Sequence, residues 1–132
     1  MIFISLFLAC RDHPSSQTQS APASSPNQQS LEIDVEEFYK RTQKGTPVII
    51  DVRTPQEYAQ GHIPKAQNIP LSLLKHQLQK LQPYVNQEMY LVCAVGGRSA
   101  KATDFLHSKG FQKAINVQGG TRGWKARGYP TE

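Results

Sequence analysis

The distribution of apolar residues divides the chain into three stretches. Met1 to Ala9 is apolar except for Ser5 and carries no charged side chain, whereas Arg11 to Ser30 holds no Ile, Leu, Val or aromatic residue. From Leu31 onward apolar positions return in short groups with two periods. Val48-Ile49-Ile50-Asp51-Val52, Met89-Tyr90-Leu91-Val92 and Ala114-Ile115-Asn116-Val117 are nearly continuous apolar runs. Such runs predict strands covered on both faces. Leu31-Glu32-Ile33 and Gln67-Asn68-Ile69 are predicted as shorter strands. Helical spacing fills the intervals. Asp34 is an N-cap with Glu37 three residues later, Val35, Phe38 and Tyr39 supply an apolar face, and Gly45 is the expected stop. Thr54 caps a short helix that opens on Pro55, and Gly61-His62-Ile63-Pro64 reads as a turn. Leu71, Leu74, Leu78 and Leu81 form one stripe, which predicts a single core helix over 71–81. Ser99 to Lys109, with Ala102, Phe105 and Leu106 inward and Gly110 as its stop, is another helix. A last one follows Gly119-Gly120 and carries Trp124. Strands alternating with helices predict an α/β domain, a parallel sheet with helices on both faces.

A chain of 132 residues has room for one domain of modest size. The 38% hydrophobic content is low for that size, and the Ser, Gln, Pro and Thr of residues 10–30 account for it. That stretch offers no apolar surface to offset chain entropy and is expected to be a disordered tether. The domain then occupies 31–132. No apolar run reaches the roughly 20 residues of a membrane-spanning helix. The net charge of +5 comes from basic residues scattered through the domain, without the aromatic-laced cluster of a nucleic-acid site. It favours small anions instead. The sequence has no C-x-x-C, H-E-x-x-H or paired His at ligand spacing, so neither metal nor cofactor is expected.

Phe7-Leu8-Ala9-Cys10, after an apolar run and before a polar tether, resembles the start of a bacterial lipoprotein. The resemblance implies a signal peptide over 1–9, cleaved before Cys10, and lipidation of Cys10. The protein would then be exported and held at a membrane by acyl chains, with the domain in the periplasm or outside the cell.

Cys93 carries the chemical information. It ends a predicted strand and precedes Ala94-Val95-Gly96-Gly97-Arg98-Ser99 and then a helix. Ligands of open α/β sheets sit at the carboxyl ends of strands. Two glycines let the loop curl so that its N–H groups converge into an anion nest, and the helix directs its positive end at the same point. A thiol there should ionise more readily than free cysteine and act as a nucleophile without a neighbouring base.

Ile50-Asp51-Val52-Arg53, Glu57-Tyr58, Gly61-His62-Ile63-Pro64, Cys93 with Gly96 and Arg98-Ser99, and Val117-Gln118-Gly119-Gly120 before Gly123-Trp124 together resemble the single-domain rhodaneses, which are sulfurtransferases. The resemblance spans about Glu32 to Pro130. It implies a five-stranded parallel sheet between helices. It also implies that Cys93 takes the outer sulfur of a donor such as thiosulfate as a persulfide and passes it to cyanide or a thiol. The N–H groups of Ala94, Val95, Gly96, Gly97, Arg98 and Ser99 would hold the persulfide and the departing anion, with Arg98 either attracting the donor or bracing the loop. Cysteine phosphatases and arsenate reductases of related fold carry Cys-x5-Arg, whereas four residues separate Cys93 from Arg98 here. The tighter ring suits a sulfur atom. Ala94 and Val95 stand where many rhodaneses place Arg or another polar residue, which removes a charge contact to thiosulfate and leaves a polysulfide or protein persulfide as alternative donors. A sulfur carrier or partner-binding module with little turnover is the other reading of the same residues.

Asp51 and Arg53 sit at the end of a neighbouring strand. Asp51 either braces the active loop through backbone N–H groups or forms a structural ion pair or cap. His62 is expected to bond locally in its turn. His13, His76 and His107 are expected to be solvated, and Trp124 to be core.

Overall fold

The computed structural model describes residues 31–132. The expected signal peptide (1–9), the lipidation site Cys10 and the tether (10–30) lie outside the described residues. The strands are β1 (Glu32–Asp34), β2 (Val48–Asp51), β3 (Gln67–Asn68), β4 (Met89–Val92) and β5 (Ala114–Gln118). They form a five-stranded sheet in the order β1-β5-β4-β2-β3. Every pairing is parallel, so the carboxyl ends of β2, β4 and β5 lie along one edge.

Period-two alternation sorts the strand residues between two apolar layers. Ile50, Leu91 and Ala114 pack with Ala102 and Leu106 of the helix α4 (Gly97–Ser108). Ile49, Tyr90, Val92, Ile115 and Val117 pack on the other side with Val35 and Phe38 of α1 (Val35–Gln43). Trp124 of α5 (Gly120–Ala126) completes that second layer, buried as expected, with its indole N–H donating to the Pro130 carbonyl at 2.7 Å. The Asp34 carboxylate accepts the Glu37 N–H at 2.8 Å, and α2 (Pro55–Ala59) opens with a full capping box between Thr54 and Glu57.

Three expectations are corrected. Residues 71–81 are not one helix: a 3-10 turn over Leu71–His76 gives way at Gln77 to the short α3 (Leu78–Leu81). Leu71 and Leu74 are three apart, which is the eclipsed spacing of a 3-10 turn, and Leu78 and Leu81 lie one turn apart in α3. The four-residue step from Leu74 to Leu78 spans the break. The stripe still faces the core, with Leu74 and Leu81 buried and Leu71 and Leu78 packed against them. Second, α1 stops on Lys44, whose conformation is right-handed, rather than on a left-handed Gly45. Pro47 bars the helical region to Thr46, and that ends the helix instead. Third, His107 is half-buried, with Nε2 2.8 Å from the Ala114 carbonyl, while His76 is exposed.

Gly110 does end its helix as expected. Its N–H donates to His107 and that of Phe111 to Leu106, a Schellman motif with Gly110 at φ +95°. Gly110→Ala should therefore lower stability by about 1–2 kcal/mol. Gly45→Ala, with nothing within 4 Å of the added carbon, should leave stability unchanged or slightly raised. Urea unfolding of the two variants checks the pair.

Candidate active site

Cys93 continues the parity of Met89 and Leu91, which directs its side chain to the layer covered by α4. The chain then turns through Ala94 and Val95 to Gly96, the N-cap of α4, where no side chain caps the helix. The first N–H groups of a helix need an acceptor, and here the sulfur takes that place. Cys93 Sγ accepts the Gly96 N–H at 3.0 Å, and the Ser99 hydroxyl lies 3.3 Å away. The residue is 1% exposed. Burial pushes the thiol up. Hydrogen bonding to the Ser99 hydroxyl and to the N–H groups of Ser99, Gly96 and Val95 more than offsets it, so Cys93 ionises below the ordinary cysteine range.

The loop curls this way because its carbonyls are engaged on the other side. The N–H groups of Thr121, Arg122 and Gly119 donate to the carbonyls of Cys93, Ala94 and Val95 at 2.9, 3.0 and 3.1 Å. A peptide whose carbonyl is held outward presents the N–H of the following residue inward. The start of α5 thereby orients the amides that face the sulfur. The approach is close: a Cβ on Gly120 would stand 2.3 Å from the Cys93 carbonyl oxygen. Any other residue there would displace the loop.

The loop's charged side chain is a brace. Arg98 donates Nη1 and Nη2 to the two carboxylate oxygens of Glu57, each at 2.8 Å. Glu57 also accepts the Thr54 N–H at 2.9 Å within the capping box of α2. Its carboxyl is lowered to about 2, by Arg98 first and the Thr54 N–H second. The open choice for Arg98 thus resolves toward bracing. Asp51 does not hold the loop: its carboxylate accepts from the Arg53 N–H and guanidinium, the closest contact being 2.7 Å, and both residues are buried. Arg53 also donates to the Gly61 carbonyl at 2.9 Å. This is the structural ion pair of the two readings, and it supports the segment bearing Glu57 rather than residues 93–99. Ala94 is half-buried and Val95 is 57% exposed at the rim. Gly97 is exposed and Ser99 is buried. His62 bonds locally, with Nδ1 3.1 Å from the Tyr58 carbonyl.

Sequence reasoning missed Glu57 and Asn116. Glu57 carried a signal, since Thr54-Pro55-Gln56-Glu57 has capping-box spacing, but its bond to Arg98 spans 41 positions. Asn116, a polar residue within an apolar strand, lies buried with Oδ1 2.6 Å from Ser99 Oγ. Among the described residues no cluster of His, Cys, Asp and Glu is arranged to hold a metal ion.

The Glu57–Arg98 pair has a definite pH signature. The Glu57 carboxyl sits below its ordinary value of 4.5, at about 2, so its contribution to stability is complete above 4.5 and is lost as pH falls toward 2. Glu57→Gln should therefore melt below the wild type at neutral pH. The gap should close as pH falls through that window, as thermal melts across pH would show.

Known proteins share this architecture. The model of the Rhodanese-like domain matches residues 34–127. A sulfurtransferase of Allochromatium vinosum is 32% identical over 100 residues, covering 75% of this chain and 92% of that protein. YrkF of Bacillus subtilis, named as a candidate sulfur carrier protein, is 36% identical over 106 residues, covering 79% of this chain, which spans only 56% of YrkF. The crystal structure of a rhodanese-related protein from Thermoplasma volcanium superposes with a TM-score of 0.70 at 31% identity, covering 77% of this chain and 97% of that one. A thiol cradled by the amides of a short loop, at the carboxyl edge of a five-stranded parallel sheet, is thus found in a chain that belongs to the rhodanese-like domain family of sulfurtransferases and sulfur carriers.

Proposed function

We propose that this protein is a sulfurtransferase that carries sulfane sulfur on Cys93, taking it from thiosulfate or a similar donor and passing it to a thiol or cyanide. The observation that carries the reading is the contact of Sγ with inward-facing loop amides in a setting that favours the thiolate. In the first half-reaction the Cys93 thiolate attacks the outer sulfur of thiosulfate. A new S–S bond forms, the bond to the sulfite sulfur breaks, and sulfite departs with its electron pair. Charge leaves Sγ and appears on the outer sulfur of the persulfide and on sulfite, where preoriented N–H dipoles stabilise it without rearranging. In the second half-reaction an acceptor thiolate attacks the outer sulfur and leaves as a persulfide, returning Cys93 as thiolate. No general base is required, because the hydrogen bonds around the sulfur favour its thiolate.

The site has little room. A buried sulfur enclosed by Ala94 to Ser99 accommodates one added sulfur atom more readily than the tetrahedral oxygens of a phosphate. Arg98, engaged by Glu57, is not free to neutralise such a group. The kinship with YrkF supports a second reading in which the persulfide is stored and handed to a protein partner. Turnover separates the two.

After incubation with thiosulfate the intact mass should rise by one sulfur atom on wild type and not on Cys93→Ser. Thiosulfate–cyanide turnover should be lost in that variant, and persulfide formation on wild type should slow as pH falls through the lowered ionisation range of Cys93. Turnover that survives Cys93→Ser would refute the assignment. A stable persulfide without multiple turnover would favour the carrier.

A further inference from the structure

Ser99 Oγ lies 3.3 Å from Cys93 Sγ and 2.6 Å from Asn116 Oδ1, and all of these residues are buried. A hydroxyl carries one proton and an amide oxygen only accepts. While the sulfur is a neutral thiol the shorter contact therefore takes the Ser99 proton, and the hydroxyl can donate to Sγ only by giving up Asn116. The amide is held in this orientation by its other end: Asn116 Nδ2 lies 3.3 Å from Glu32 Oε1 on β1, and a carboxylate also only accepts.

The chain is complete when Cys93 is a neutral thiol. S–H donates to Ser99, O–H to Asn116 and N–H to Glu32. Ionising the sulfur breaks this order. Ser99 must then turn its proton to the thiolate, which leaves Asn116 Oδ1 buried without a donor. Among the described residues no buried side-chain nitrogen or oxygen lacks a partner, so the thiolate state would create such a deficit.

We propose that Asn116 is a positioning residue that holds the Ser99 proton away from the sulfur and so restrains the ionisation of Cys93. The inference rests on Cys93 as the reacting thiol and on nothing about the donor. Other charges on the surrounding elements are already paired or exposed. Glu57 of α2 pairs with Arg98 of α4, and Asp51 with Arg53 beyond β2. Lys101 of α4 and Arg122 of α5 are exposed. Glu32 is the carboxylate coupled to the chain. The loop amides favour the thiolate and Asn116 opposes them, so the reactivity of the sulfur is a balance between two sets of hydrogen bonds.

The test is the pH profile of iodoacetamide alkylation of the full chain. Asn116→Val introduces a β-branched residue suited to a strand and cannot accept a hydrogen bond. Its alkylation midpoint should move to lower pH. Below the midpoint its rate should rise roughly threefold, because the gain in thiolate is partly offset by weaker nucleophilicity. Asn116→Ala, which cannot overfill the site, should shift the same way if the Val variant does not fold. In a Ser99→Ala background the substitution should move the midpoint no further. A midpoint that stays put or rises in both variants overturns the proposal, as does an equal shift without Ser99. If alkylation behaves as expected but no donor yields a persulfide, this inference stands and the sulfur-transfer reading falls.

Discussion

The arrangement depends on the direction of a few peptide groups. The carbonyls of Cys93, Ala94 and Val95 point outward to the N–H groups of α5, and the amides that follow point inward to the sulfur. Each such bond contributes only about 0.5–1.5 kcal/mol net to stability. Their larger effect is orientation, because a dipole already aimed at a charge costs nothing to turn when that charge forms. Gly120 is the steric condition for this contact. A side chain there would meet backbone, which cannot yield as the tip of a flexible side chain can.

Support reaches the loop from three directions. α5 holds its carbonyls, the Glu57–Arg98 pair ties the first turn of α4 to α2, and Asn116 on β5 engages Ser99. The buried Asp51–Arg53 pair belongs to the next tier, since its further bond goes to Gly61, beyond α2. A partly exposed ion pair such as Glu57–Arg98 adds little to global stability. Bidentate geometry nevertheless fixes where the guanidinium lies, and with it the turn that opens α4.

The centre of the sheet was legible in the sequence because β2, β4 and β5 are short runs with apolar residues on both faces, and Ile49, Ile50, Leu91 and Val92 could hardly lie elsewhere. Cys93 was legible for a local reason: a thiol, a pair of glycines and a helix start are adjacent in the chain. The interrupted helix over 71–81 was not, because spacings of three and four fit an α-helix and a broken 3-10 segment alike, and only the backbone at Gln77 decides. The partners of Arg98, Asp51 and Ser99 were hidden for a different reason. Residue types show which groups need a partner, but pairing across the fold follows from how α2 and β5 flank the loop. Asn116 was visible only as an odd polar residue in a buried run.

Because the loop meets the sulfur through main-chain N–H groups and the Ser99 hydroxyl, the side chains at positions 94 and 95 are left as exchangeable trim around it. Val95 stands at the rim, 57% exposed, and Ala94 meets α5 through its carbonyl rather than its methyl group. Evolution can therefore redecorate the doorway, altering which molecules are welcomed, while the reactive atom keeps its setting. A fold organised in this manner separates what it does from whom it does it to.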